Sequence, residues 1–174
     1  MIFGAITHWE NALSESCASS HGRPADHQQT AARRAVMAAL ADAERSEIED
    51  GLAGLGSPLQ YVELRPVEIG LVMVRGRIGG DGSPFNLGEA TVARATVKIP
   101  SGEVGFAYQL GRDCEKARLS AICDALWQNE RYRAAVEQHV LGPIRERQLR
   151  ERNTARAQTA ATRVDFFTLA RGED

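Results

Sequence analysis

Lysine is nearly missing from this chain: Lys98 and Lys116 are the only two, in a set of 21 basic residues. Cationic contacts therefore fall to arginine, whose planar fork suits bidentate pairing with carboxylate or phosphate. A general composition bias accounts for the same skew. Cysteine is sparse and odd in number, with Cys17, Cys114 and Cys123, which argues against a disulfide framework. Cys114 and Cys123 would lie on opposite faces of a helix, and no CxxC spacing occurs, so no metal or iron–sulfur site is expected. Histidine is equally thin. His8, His21 and His27 sit in the first 29 residues at no ligand spacing, and His139 stands alone. No run is long and apolar enough to span a bilayer, and the N-terminus lacks the basic and apolar regions of a secretory signal. The expected setting is cytoplasmic, with no membrane partner. The formal net charge of −2 removes any global electrostatic case for nucleic acid.

What is present is ordinary globular composition, 43% hydrophobic and 25% charged over 174 residues, enough for one domain with one core. The organising stretch is Ile69 to Ile99. Two β-rich runs, Leu71–Arg77 and Thr91–Ile99, flank the breaker cluster Gly79-Gly80-Asp81-Gly82-Ser83-Pro84. The second run alternates: Thr91, Ala93, Ala95, Val97 and Ile99 fall on one side, and Val92, Arg94, Thr96 and Lys98 on the other. A long β-hairpin with one oily face is expected. Its other face carries Arg94 and Lys98, joined by Arg75 and Arg77 where the register allows. Tyr61–Leu64, ahead of Arg65-Pro66, reads as a separate short strand. Val104–Leu110 reads as a further strand, with Val104, Phe106, Tyr108 and Leu110 on one face. The predicted fold is α+β: an antiparallel four-stranded meander with an N-terminal helix pair and C-terminal helices packed on it.

The helices read from periodicity and caps. Residues 1–29 form a weakly ordered extension, and residues 30–174 a single α+β domain. A helix is predicted over Thr30–Ala43, and a short second one after a capping box at Ser46–Glu49. The acidic start of that second helix (Glu47, Glu49, Asp50) excludes a helix-turn-helix DNA reader. Asp113 is a natural N-cap for a helix that packs through Ala117, Ala121, Ile122, Ala125 and Leu126. A further helix runs from Arg131 toward Pro143. The segment from Ile144 to Arg156 mixes Arg and Glu and reads as a solvated helix. The terminal stretch 163–170 is unexpectedly apolar, with Phe166, Phe167 and Leu169. An apolar terminus calls for a surface to dock on.

No catalytic residue emerges. The glycine loop lacks the lysine of a Walker motif, and it lies between two strands, not ahead of a helix as a dinucleotide fingerprint requires. No Ser/His/Asp or Cys/His arrangement appears. Residues alone leave a binding or scaffold module and an anion-handling subunit both open. The ligand or partner-binding candidates are Arg75, Arg77 and Arg94, with Gly80, Gly82 and Asn86 of the adjacent loop offering backbone N–H groups. Phe166, Phe167 and Leu169 are the partner-docking candidates.

The stretch LRPVEIGLVMVRGRIGGDGSPFNLGEATVARATVKI, followed by GFAYQLGRDCEKARLSAICDAL and TRVDFFTLARGE, resembles the PhnG family, the G subunit of the carbon–phosphorus lyase core complex. The likeness runs from about Thr30 to the C-terminus. It implies a bacterial phosphonate-degradation protein acting with PhnH, PhnI and PhnJ, with PhnK and PhnL associated, and a homodimeric contact within the complex. It further implies a non-autonomous part in alpha-D-ribose 1-methylphosphonate 5-triphosphate synthase. That complex transfers the ribose triphosphate of MgATP to methylphosphonate and releases adenine. MgATP is then a substrate of the complex, and this chain alone holds no cofactor. A purely structural scaffold subunit is the alternative.

Overall fold

From Pro24 the chain runs α1 (Pro24–Ala41), α2 (Arg45–Ala53), β1 (Val62–Arg77), β2 (Pro84–Lys98), β3 (Val104–Leu110), α3 (Cys114–Gln128), α4 (Glu130–Val136), a π-helical turn (Glu137–Leu141) and α5 (Gly142–Ala161). This computed structural model describes residues 24–56, 60–79 and 82–162. The chain falls into two compact units, Met1–Val36 and Met37–Asp174, with α1 crossing the boundary. The second unit carries the sheet and the remaining helices.

The sheet has three antiparallel strands in the order β1-β2-β3, not four. The two short strands expected on either side of Arg65-Pro66 are one strand of 16 residues. Proline does not interrupt it because β1 is an edge strand, where a missing N–H costs no ladder bond. The irregularity is absorbed as register shifts between Glu63 and Arg65 and between Arg65 and Glu68. β2 also starts earlier than expected, at Pro84.

Helix boundaries differ in three places. α1 opens at Pro24, six residues before Thr30, and proline suits a first turn whose N–H groups have no helical acceptor. α2 is capped two residues earlier than Ser46: the Glu47 carboxylate accepts the Glu44 backbone N–H at 2.8 Å. Pro143 does not stop the helical run, because it sits in the first turn of α5. The Asp113 cap is as expected, accepting the Lys116 N–H at 2.9 Å.

The core of the second unit lies where α3 meets β2 and β3. The predicted packing residues Ala117, Ala121, Ile122, Ala125 and Leu126 are all buried, as are Ala93, Ala95, Val97 and Ile99 of β2. β3 alternates along its whole length. Gly105, Ala107 and Gln109 face the helix and are buried, while Phe106, Tyr108 and Leu110 are exposed. The cause is close approach. A Cβ added at Gly105 would lie 1.9 Å from the Ala121 carbonyl oxygen and 2.7 Å from the Ala125 nitrogen. At this point helix backbone lies almost on strand backbone, and only glycine fits between.

Two side chains from α3 close part of the free edge of β3. Asp124, fully buried, accepts the Phe106 N–H at 2.9 Å, and Gln128 donates to the Val104 carbonyl at 2.9 Å. An edge blocked in this way cannot recruit a foreign strand there. Gln109 donates to Ser120 Oγ at 2.8 Å and to the Leu40 carbonyl at 3.3 Å, which ties the end of α1 to the sheet. On the far side, Arg147 of α5 forks onto Glu47 at 2.7 and 3.0 Å and onto the Asp42 carbonyl at 3.0 Å. Burial pushes the Cys123 thiol up, so it remains protonated.

Gly105→Ala is expected to destabilise the chain by about 3 kcal/mol, the upper end for overpacking, lowering the melting temperature by roughly 6–12 °C. A calorimetric scan checks this. Acid gives a second test. The hydrogen bond from Arg147 holds the Glu47 carboxyl below its ordinary 4.5. Its folded pKa therefore lies beneath the unfolded one, so the contribution is complete above the ordinary value and lost as pH falls through the folded value. Urea midpoints measured from about pH 6 down to about pH 3 are expected to fall less for Glu47→Gln than for the unaltered chain.

Candidate subunit interface

The sheet is much longer than the helix that covers it. Burial begins at Val92 on β2, and β1 is tied to α3 at its base, where Arg118 bonds Glu63 at 2.7 Å. Beyond Ile69↔Ala93 the hairpin continues as a two-stranded ribbon to Arg77↔Pro84. This arm is exposed on both faces. Leu71 is 61% accessible, Met73 52% and Leu87 66%, with Ile69, Ile78 and Phe85 also open to solvent. Strand alternation places Ile69, Leu71 and Met73 on the face shared with α3, and Val72 and Val74 on the other. An isolated two-stranded hairpin is marginal in water, and apolar residues gathered on one projecting element mark a contact surface.

The candidate arginines divide between two places. Arg75 pairs in register with Asn86, and Arg77 with Pro84, next to the loop from Ile78 to Ser83. Both arginines are exposed, and among the described residues neither makes an ion pair. Arg94 pairs with Glu68, about seven residues from Arg75, or about 23 Å along a strand. It also points to the opposite face of the ribbon, because β1 residues of even number share the Arg94 side. There its Nε and Nη2 both donate to Glu68 Oε1 at 2.9 Å, and Arg65 stands 3.6 Å from the same oxygen. The structure therefore brings Arg75, Arg77 and Asn86 together at the tip and leaves Arg94 at the base.

Gly82 has a steric explanation. A Cβ there would lie 2.2 Å from the Ile78 carbonyl oxygen, so the loop needs glycine to close. Gly80, Phe166, Phe167 and Leu169 lie outside the described residues. His139 is exposed on the π-helical turn. The buried carboxylate of Asp124 is spent on the β3 edge. Among the described residues, no helix is long and apolar enough to cross a membrane.

A family model described as "Phosphonate metabolism protein PhnG" matches residues 31–172. The chain belongs to the PhnG family. A relative from Rhizobium meliloti (strain 1021) is 47% identical over 152 residues, covering 87% of this chain and 97% of its own length. That relative is named "Alpha-D-ribose 1-methylphosphonate 5-triphosphate synthase subunit PhnG". Membership places this PhnG-family chain in phosphonate metabolism. The arm was invisible to sequence reasoning as an arm. Its apolar strands look like core, and only the shortness of α3, 15 residues, against a β1 of 16 residues at twice the rise could have signalled the overhang.

Proposed function

We propose that this chain is a non-autonomous subunit of an alpha-D-ribose 1-methylphosphonate 5-triphosphate synthase, built into a cytoplasmic assembly with PhnH, PhnI and PhnJ. The assembly transfers the ribose triphosphate of MgATP to methylphosphonate and releases adenine. The single observation that carries the reading is the apolar arm, which no other described residues cover and which suits a chain completed by other subunits. The name of the 47% identical relative supports the same assignment. On this reading the role is chiefly architectural. No pair of titratable groups among the described residues is poised as acid and base, so the glycosidic chemistry belongs to a partner. The apolar tail with Phe166, Phe167 and Leu169 serves as a second attachment.

A narrower reading has its own support. Arg75 and Arg77 are two guanidiniums without an ion pair among the described residues, at the end of a projecting element, well suited to reach a triphosphate or phosphonate at a subunit junction. The two roles separate by mutation. Leu71→Asp combined with Met73→Asp is expected to abolish co-purification with PhnI. Arg75→Ala combined with Arg77→Ala is expected to leave assembly intact and raise the substrate concentration needed for half-maximal adenine release by about tenfold, the scale of one or two charge-assisted bonds. Unchanged assembly in the first variant contradicts the architectural role. Unchanged adenine release in the second confines the chain to that role.

A further inference from the structure

The sheet face turned away from α3 combines an aromatic row with a surplus of positive charge. On β3, Phe106, Tyr108 and Leu110 stand outward, with Tyr108 55% and Leu110 81% exposed. Beside them Arg65 and Arg94 share a single carboxylate, Glu68, and Lys98 follows on the same side of β2 and is exposed. Among the described residues Arg94 contacts one oxygen of Glu68 through Nε and Nη2, and its remaining donors are unspent there. A cleft of about 30 Å³ opens among Arg65, Glu68, Arg94, Thr96 and Tyr108.

We propose that this face docks a partner subunit through an apolar patch that carries a carboxylate, with the carboxylate entering the Arg65–Arg94 cleft and the patch covering Phe106, Tyr108 and Leu110. The proposal rests on the reading of the chain as an assembly subunit and specifies which chemistry that subunit presents. Charge chooses the occupant. The two guanidiniums of the small cleft share one carboxylate between them, which suits one further Asp or Glu side chain from a partner. A second copy of this chain would bring the same cations to a two-fold interface, where each patch meets itself, and like charges would oppose one another. A cationic cluster beside exposed aromatics is instead the pattern of an interface anchor.

The test co-expresses the full chain, tagged, with PhnH, PhnI and PhnJ, and compares it with Arg65→Glu and Tyr108→Ala. Both positions are exposed on edge strands, and circular dichroism with thermal melting confirms that each variant folds. Arg65→Gln replaces the charge-reversed variant if the latter melts early. The expected result is dissociation from the assembly at least about tenfold faster in each variant, with less salt dependence of association when the charge at Arg65 is removed. Undiminished assembly in both folded variants overturns the proposal. So does saturable binding of inorganic triphosphate by the free chain that Arg65→Glu abolishes while assembly is kept. A dimer of the free chain broken by Tyr108→Ala overturns it in favour of self-association. A wild-type chain that recruits none of the three subunits overturns the subunit reading itself, which the variants do not address.

Discussion

The contact between α3 and β3 sets the character of the whole sheet. Gly105 leaves no room for a side chain beneath Ala121 and Ala125, so the helix rides directly on strand backbone. No side chain fits at that crossing, and the large apolar ones of β3 point the other way. A strand whose buried side is Gly, Ala and Gln, and whose outer side is Phe, Tyr and Leu, is arranged for a second layer that these described residues do not supply. The tight inner contact and the exposed outer face are two consequences of one spacing.

Length extends the same logic. A helix rises about 1.5 Å per residue and a strand about 3.3 Å. The 15 residues of α3 can shelter only part of a hairpin whose strands run 16 and 15 residues. The remainder becomes the arm. Among the described residues, no element packs on its apolar side chains. Selection for a subunit that folds around a neighbour explains a surface of this kind, and membership in the PhnG family agrees with it.

Sequence carried much of this and missed the rest for identifiable reasons. The alternation of Thr91 to Ile99 named the inner face of β2 correctly, and the alanine spacing of α3 named its packing side. Pro66 misled because its effect depends on whether a strand is central or at an edge, and edge position follows from pairing order, which is not local. The alternation of β3 was legible, but which of its faces turns inward was not, because that follows from the close approach of α3 at Gly105, which is not local. Arg75 and Arg77 were legible as neighbours from their spacing of two. Arg94 could be assigned to them only through the register, and the register instead gave it to Glu68. The family resemblance, in contrast, lay in long ordered blocks of sequence and did not depend on resolving any of these points.

Hydroxyl-radical footprinting of the free chain and of the assembled complex tests the account most directly, because it reads side-chain exposure residue by residue. The account predicts that Met73 and Phe85 on the arm, and Phe106 and Tyr108 on the outer face, react freely in the isolated chain and become protected in the assembly, while Leu149 on the exposed side of α5 keeps its reactivity. Equal reactivity of the arm and outer-face residues in both states would contradict it.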